Sequence, residues 1–309
     1  VCSSDLRNLN MKASVIIPSY DQKHVIFDAL NSVMRQKTTF EYEVIVVEST
    51  GDDTADLIEE RFPGIRIIRL PQRAFPGTAR NQAIKVARGD YLAFTDTDCI
   101  VHPDWLEQLV NSHERGYPVI GGMVRNGTPG DVLGTLDYLL EFSDLTKPKE
   151  ALDNTHFGTC NVSFRRDVFR EHGLFIDQVK GSDSLYCRKI KRKGLALFHQ
   201  PEAVIWHRNR TNLKKIMRNQ YELGYGAAIN RHRYHLKGEV FVNVPLLIPL
   251  LPGVRILAIG RRLLKNDFRL FAQFCLLFPL VLTALLIYTA GFIKGRKFAL
   301  RGKNYEGQE

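Results

Sequence analysis

Short β-branched apolar runs alternate with stretches of helical spacing in the first half of the chain. Strands are predicted at 13–20 (ASVIIPSY), 42–50 (YEVIVVEST), 65–70 (IRIIRL) and 90–96 (DYLAFTD), with helices between them. Alternation of this kind is typical of a mainly parallel sheet flanked by helices. We therefore expect an α/β fold over this part of the chain.

The predicted strands end in polar or conformationally restricted residues. Pro18 and Tyr20 lie at the end of the first strand, Glu48 at the end of the second, and Asp96 and Asp98 follow the fourth. Ligands of open α/β sheets bind at the carboxyl edge of the strands. This edge is therefore the predicted binding site.

Asp96 and Asp98 are separated by one residue. Alternate residues of an extended chain point to the same side, and two carboxylates that share a ligand are well suited to a divalent cation. The alternative is a solvated Asp-rich turn after a strand. The pair alone does not decide between these interpretations.

The net charge indicates which classes of binding partner are favoured, and the cysteine content indicates the redox compartment. The chain has 43 Lys and Arg against 33 Asp and Glu, a net charge of +10, which favours an anionic partner such as a nucleotide, a nucleic acid or a membrane surface. The 5 cysteines are scattered without a CxxC pair, so neither a disulfide framework nor a zinc site is predicted. A reducing compartment is the simplest interpretation.

The composition changes near Val240. Residues 270–293 contain no charged side chain and are long enough to cross a bilayer, so they predict a transmembrane helix in which Pro279 makes a kink. A buried core helix is the alternative. The preceding apolar stretch, 241–260, is compatible with a second span, a re-entrant segment or an interfacial helix. The basic stretch 208–237 is compatible with a solvated face, or with contact with lipid headgroups or a diphosphate-lipid acceptor.

Residues 13–207 resemble the family 2 glycosyltransferases, whose Rossmann-like GT-A fold binds a nucleotide-diphosphate sugar. The resemblance rests on four segments in the family's order, namely SVIIPSYDQ (14–22), VIVVESTGDDTADL (44–57), GTARNQAIKVARGDYLAFTDTD (77–98) and GSDSLYCRKI (181–190). It implies a GT-A catalytic domain at 11–239, followed by a membrane-associated helical segment at 240–309. Residues 1–10 are interpreted as an extension before a natural start at Met11.

The resemblance implies nucleotide-binding roles for five residues. Glu48 stands where a family carboxylate, more commonly Asp, accepts hydrogen bonds from the base or sugar of the nucleotide. Pro18 and Tyr20 would line the nucleotide pocket, and Arg80 would support the nucleotide, with a surface helix position as its alternative. Asp96 would be directed toward the ribose or the metal.

The resemblance also implies a metal site and a general base. Asp98 would bind the cation, Mn²⁺ or Mg²⁺, and His207 stands where some GT-A enzymes have an additional metal ligand, although a structural histidine is the alternative. Asp183 would deprotonate the acceptor hydroxyl, unless it only caps the helix that follows. The family usually has Glu before this Asp, whereas this chain has Ser182.

These features lead to one functional hypothesis and two rivals. We expect a metal-dependent, inverting glycosyltransferase that binds a nucleotide sugar and no nucleic acid, and that transfers the sugar to a lipid-linked glycan or another envelope precursor. It would lie at the inner membrane with its catalytic domain in the cytoplasm. A nucleotidyltransferase is one rival, although the Gly-rich basic loop of that class is missing. A non-catalytic membrane scaffold with a GT-A-like fold is the other.

Overall fold

The structure, a computed structural model, describes residues 11–146, 150–152, 157–176 and 181–301. The chain divides into two compact units. The first unit consists of residues 1–127 and 147–207, and the second of residues 128–146 and 208–309. The expected N-terminal extension, 1–10, lies outside the described residues.

One sheet of nine strands forms the centre of the first unit within the described part of the chain. The strands are β1 Ala13–Ser19, β2 Tyr42–Glu48, β3 Arg66–Arg69, β4 Tyr91–Phe94, β5 Cys99–Val101, β6 Val119–Asn126, β7 Ala151–Leu152, β8 Val162–Arg165 and β9 Leu197–His207. Their order is β3-β2-β1-β4-β8-β6-β9-β5, with β7 paired to β9. Strands β3, β2, β1 and β4 are parallel to one another, whereas β8 is antiparallel to both of its neighbours.

The parallel half of the sheet follows from its apolar runs. Val15, Ile16 and Ile45 have no exposed surface, because helices cover both faces of these strands. The register places Ser19 beside Glu48, so the polar ends of β1 and β2 lie together. The expected α/β fold with a mostly parallel sheet is confirmed, and the four predicted strands correspond to β1, β2, β3 and β4.

Twelve α-helices lie in the described residues of the two units. They are α1 Ile26–Met34, α2 Thr54–Arg61, α3 Pro76–Val86, α4 Trp105–Glu114, α5 Val132–Phe142, α6 Arg166–His172, α7 Ser182–Arg192, α8 Leu213–Arg233, α9 Val240–Asn243, α10 Leu251–Asn266, α11 Phe268–Leu276 and α12 Phe278–Leu300. A 3₁₀ helix, Pro245–Leu250, precedes α10. Helix α1 buries Ile26, Ala29, Leu30 and Val33, the spacing expected of one helical face.

The second unit contains α5 and all helices from α8 onward. Helices α8 and α12 approach closely through small residues, since a Cβ on Gly291 or Gly295 would overlap the backbone carbonyl of Tyr221 or Tyr225. Gly224 of α8 is pressed in the same way against the carbonyl of Tyr288. The absence of side chains at these positions is what allows the two backbones to touch.

The apolar C-terminal stretch is not the single helix predicted at 270–293. Helix α11 ends at Leu276 and α12 begins at Phe278, with Pro279 in its first turn. Proline has no backbone N–H to donate, which is tolerated in the first turn but breaks a helix that must continue through it. Within the described residues one helix, Phe278–Leu300, is long and apolar enough to cross a membrane, and nearly half of its most apolar stretch is buried in the protein.

Candidate functional site

The ends of β1 and β2 present a buried carboxylate with a free oxygen. Glu48 Oε1 accepts a hydrogen bond from the Thr50 backbone N–H at 2.6 Å. Its Oε2 is buried and has no hydrogen-bond partner among the described residues. A buried carboxylate oxygen without a partner carries a desolvation cost unless a ligand supplies the missing donor. Glu48 therefore has the geometry of a ligand-binding acceptor.

Pro18 and Tyr20 lie at the same edge of the sheet. Pro18 is part of β1 and is half-buried, whereas Tyr20 is exposed just beyond the strand. The guanidinium of Arg73 lies over the Tyr20 ring, 4.5 Å from its centroid. Arg73 is not among the predicted site residues, because nothing in its local sequence indicates that it lies against this tyrosine.

Arg80 is buried in α3 and pairs with Asp96. Its Nη2 donates to Asp96 Oδ1 at 2.5 Å, while its Nε is buried without a partner among the described residues. The alternative of an exposed helix-surface arginine is therefore wrong. Burial raises the pKa of the Asp96 carboxyl and the charge of Asp98 adds to this rise, whereas the positive charge of Arg80 opposes it.

Asp98 faces His207, whereas Asp96 pairs with Arg80. His207 Nε2 lies 3.5 Å from Asp98 Oδ1, and the Cys99 thiol is 3.7 Å from the same oxygen. Potential ligand atoms of Asp98, Cys99 and His207 all lie within 4.8 Å of one another. A carboxylate oxygen and an imidazole nitrogen are both good ligands for Mn²⁺, so this set fits a divalent cation.

The two aspartates thus take different partners because the segment between β4 and β5 is a turn and not an extended strand. Asp96 is turned toward α3 and Asp98 toward the end of β9, which pairs with β5 through Cys99 and His207. The tertiary structure, and not the spacing of the pair, places one carboxylate beside the arginine and the other beside His207.

Asp183 lies in the first turn of α7 and contacts the segment before β8. Its Oδ2 accepts a hydrogen bond from the Thr159 backbone N–H at 3.2 Å, and its Oδ1 accepts one from the Ser184 N–H at 2.7 Å. The second contact lies in the first turn of α7, whose N-cap residue is Gly181, so Asp183 interacts with the start of the helix without being its N-cap. Both contacts hold the carboxylate in place.

Ser182, which replaces the usual acid, is buried against α3. A Cβ built on Gly77 would lie 2.7 Å from Ser182 Oγ. A glutamate side chain at position 182 would therefore need space that is already filled. The serine is the residue that fits this packing.

Cys160 has a buried thiol whose pKa responds to three carboxylates of the site. It follows Thr159 in the chain and is buried, and burial raises the pKa of its thiol well above the usual value. The negative charges of Asp96, Asp183 and Asp98 all raise this pKa further, in that order. The charges of all three carboxylates therefore act on one buried thiol.

The two tryptophans have no evident role at this edge. Trp105 is fully buried, and its Nε1 donates to Asn161 Oδ1 at 2.8 Å. The ring of Trp206 lies beside that of His102, with centroids 6.0 Å apart. The burial of the Trp105 ring therefore assigns it to packing within the protein.

Residues 14–173 match the protein family described as Glycosyl transferase family 2. The chain belongs to glycosyl transferase family 2. Family membership supports transfer of a glycosyl group and not the nucleotidyl transfer considered as a rival. It also agrees with the resemblance, which rests on motifs that lie mostly within this range.

Two curated glycosyltransferases illustrate the sequence similarity. Glycosyltransferase AglE of Haloferax volcanii is 28% identical over 221 residues, covering 69% of this chain and 72% of AglE. A putative teichuronic acid biosynthesis glycosyltransferase, TuaG of Bacillus subtilis, is 31% identical over 176 residues, covering 52% of this chain and 65% of TuaG. The chain thus spans about two thirds of TuaG, and it spans 27% of the glycosyltransferase YfnE of the same bacterium.

Two solved structures share the fold. The mannosyltransferase PcManGT of Pyrobaculum calidifontis, in complex with GDP-Man and Mn²⁺, has a TM-score of 0.60 at 17% identity, covering 95% of this chain and 88% of that one. TarS 1–349 of S. aureus, in complex with UDP-GlcNAc, has a TM-score of 0.53 at 19% identity, covering 96% and 93%. This glycosyltransferase therefore has a GT-A-type fold, as the resemblance implied.

Proposed function

We propose that this glycosyltransferase transfers a sugar, with inversion, from a nucleotide-diphosphate sugar to a lipid-linked glycan or another envelope precursor at the membrane. The observation that carries the proposal is the separation of roles at the sheet edge, where Arg80 holds Asp96 while Asp98 faces His207. The charge of Asp96 is neutralised by Arg80, and Asp98 has His207 beside it as a second possible cation ligand. This arrangement suits a nucleotide diphosphate with a cation.

The donor would bind along the ends of β1, β2 and β4. Glu48 would accept hydrogen bonds from the nucleotide through its unpaired Oε2, and Pro18 and Tyr20 would line the pocket. Arg80 has an unused, buried Nε donor, which suits a polyanion. The GDP-Man and UDP-GlcNAc bound to PcManGT and TarS support this class of donor.

Asp98 and His207 would hold the divalent cation. When bound, the cation supplies positive charge that stabilises the departing diphosphate. The Mn²⁺ in PcManGT supports a metal of this kind. Asp96 would stay with Arg80 and orient the ribose.

Asp183 would act as the general base. The carboxylate takes the proton of the acceptor hydroxyl as the oxygen attacks the anomeric carbon and the bond from that carbon to the diphosphate breaks. Thr159 and Ser184 hold the carboxylate through its two oxygens, which fixes the direction from which the acceptor must approach. Attack on the face opposite the diphosphate inverts the configuration.

The acceptor is proposed from relatives and from the apolar character of the C-terminal segment, 240–309. A poly(ribitol-phosphate) beta-N-acetylglucosaminyltransferase, TarS of Staphylococcus aureus, is 34% identical over 104 residues, and TuaG is named for teichuronic acid biosynthesis. Both names concern a polymer acceptor or its synthesis. The catalytic residues would work on the cytoplasmic side, where nucleotide sugars occur.

One experiment tests the proposal directly. Purified protein is incubated with a panel of nucleotide sugars and Mn²⁺ or Mg²⁺, and release of the nucleoside diphosphate is followed. We expect slow hydrolysis of one donor that requires the cation. Binding of a donor without any hydrolysis would support the scaffold hypothesis, and failure to bind any nucleotide sugar would reject the proposal.

A further inference from the structure

Helix α10 and the residue before it carry two apolar faces on opposite sides. Pro252, Ile259 and Leu263 are buried in the second unit. Four apolar residues on the other side share one stripe at helical spacing and are exposed, namely Leu250 at 58%, Val254 at 48%, Leu257 at 66% and Leu264 at 53%. We call these four residues the α10 stripe. A core helix needs one apolar face, so the second one is unexplained by folding.

Two further exposed apolar residues flank the α10 stripe along the chain. Leu246 of the preceding 3₁₀ helix is 85% exposed, and Phe268 at the start of α11 is 69% exposed. Single exposed leucines are ordinary on a protein surface, but a contiguous apolar band marks a contact surface. The band therefore needs an apolar partner.

Basic side chains accompany the α10 stripe. Arg261 lies within its spacing, and Arg262 and Lys265 lie close to it along the helix. Within the described ranges none of these three forms an ion pair. Asp267, the acidic residue at the end of the helix, uses its carboxylate to accept hydrogen bonds from the N–H groups of Arg269 and Leu270. The apolar band is thus combined with positive charge that the protein does not neutralise.

Three more arginines of the second unit lack a carboxylate partner among the described residues. Arg255 of α10 lies over the Tyr288 ring at 4.0 Å, and its Nε is buried without a partner. Arg231 of α8 lies over Phe292 at 5.9 Å, and Arg296 Nε donates to the Val242 carbonyl at 2.6 Å. Arg231 also donates to the carbonyls of Lys237 and Ala227. These three guanidinium groups are therefore engaged within the unit, and the exposed Arg261, Arg262 and Lys265 are the cations available to a lipid surface.

Helix α12 has a different environment from α10. One side of it packs on α8 through Gly224, Gly291 and Gly295. Helix α8 carries Lys214, Lys215 and Arg231, for which the described residues provide no carboxylate partner. Placing α12 across a bilayer would take these charges into hydrocarbon, which is costly unless each is paired or faces water. The charge of α8 therefore argues against a span at α12.

We propose that α10 docks the second unit on an anionic phospholipid surface, lying in the plane of the interface without crossing it. The α10 stripe enters the boundary between headgroups and acyl chains, while the exposed Arg261, Arg262 and Lys265 contact lipid phosphates. This inference rests on the membrane association proposed above and specifies how it occurs. It depends on neither the donor nor the catalytic residues.

The test is flotation of the full-length protein with lipid vesicles. Vesicles of phosphatidylcholine alone are compared with vesicles that also contain phosphatidylglycerol, at about 0.1 M and about 1 M salt. We expect strong binding to the anionic vesicles, much weaker binding to the neutral ones, and a clear loss at high salt. The double substitution Val254→Asp/Leu257→Asp should lower the fraction of protein bound to anionic vesicles by at least about tenfold.

Two further variants serve as controls. Leu152→Asp changes an exposed leucine of the first unit and should leave binding unchanged. Leu286→Asp places a charge on the exposed side of α12 and should also bind normally. Circular dichroism and donor hydrolysis are measured without lipid and show whether each variant is folded. A loss of either signal is therefore distinguishable from a loss of vesicle binding.

Three outcomes would overturn the proposal. Loss of binding in Leu286→Asp but not in Val254→Asp/Leu257→Asp would identify α12 as the membrane element. Equal binding to neutral and anionic vesicles would remove the role of the arginines. A wild-type dimer that ignores vesicles and becomes monomeric in the double variant would show that a second copy of the chain covers the α10 stripe.

Discussion

Asp183 receives two backbone hydrogen bonds, one on each carboxylate oxygen, from Thr159 at 3.2 Å and from Ser184 at 2.7 Å. Thr159 lies just before β8 and Ser184 in α7, so two distant segments of the chain position one carboxylate. The same contacts are compatible with a general base and with a helix-end role. Two substitutions at this position separate them.

Asp183→Asn should lower turnover by about two to four orders of magnitude with little change in donor affinity, because the amide cannot accept the acceptor's proton. The amide oxygen can still accept the Ser184 N–H, so the melting temperature should stay near that of the wild type. Turnover and donor binding are measured separately. Asp183→Ala, which removes both functions, should also lower the melting temperature. Near-normal turnover in the Asn variant would leave Asp183 with a structural role.

Asp98→Asn should nearly abolish cation-dependent donor binding while the fold stays intact. The substitution removes the charge of one of the two proposed cation ligands and leaves the side chain the same size. Donor affinity is measured by calorimetry with and without Mn²⁺. Asp90→Asn, a change at an exposed aspartate beside β4, is the control. Unchanged Mn²⁺-dependent affinity in a folded Asp98→Asn protein would reject the assignment.

Arg80→Lys should weaken donor binding by about tenfold, although the charge is retained. Lysine cannot donate to Asp96 and to a ligand at once with the fixed geometry of the guanidinium. The dissociation constant of the donor is the measurement. Arg69→Lys, at an exposed arginine that pairs with Asp56 and Glu59, should leave that constant unchanged. Equal effects of the two substitutions would contradict a specific role for Arg80.

Gly291→Ala should destabilise the second unit by about 1–3 kcal/mol, since its methyl group would overlap the Tyr221 carbonyl and force α8 and α12 apart. Thermal unfolding measures the effect. Gly253→Ala in α10 is the matched control, because a Cβ at that position would have no other atom within 4 Å. That change should be neutral or raise stability by up to about 1 kcal/mol, as alanine favours a helix interior. Equal melting temperatures for the two variants would contradict the close helix contact.

Stability should fall as the pH decreases below about 6.5, in part because of His113. Burial lowers the pKa of His113 to about 3, and its ring contacts the Tyr117 carbonyl at 2.8 Å and Ser163 Oγ at 2.9 Å. The unfolded state therefore binds the proton more tightly than the folded state. The stabilisation is present above the unfolded pKa and is lost as the pH falls toward the folded one, by about 2 kcal/mol between pH 7 and pH 5.

Chemical denaturation at several pH values checks this expectation. His113→Gln should be less stable at pH 7 but should lose less stability on acidification than the wild type. His24→Gln, at an exposed histidine, should keep the wild-type pH dependence. The same slope in all three proteins would show that His113 does not contribute.

The sequence by itself determined the elements and the edge at which they meet. Apolar runs such as Val15–Ile17 must be buried on both faces, which is possible only in a sheet covered by helices. Their polar ends, including Glu48 and Asp98, therefore had to lie at one edge. The motif order identified the family that the comparisons confirmed.

Only the tertiary structure decided which side chains are partners. Arg80 with Asp96, and Asp98 with His207, are pairs from distant segments, so local spacing holds no information about them. The contact of α12 with α8 likewise depends on which neighbouring helix covers an apolar face, whereas the break at Leu277 follows from Pro279 in the sequence. Hydrophobicity along a chain measures how much apolar surface must leave water, whereas packing decides whether protein or lipid covers it.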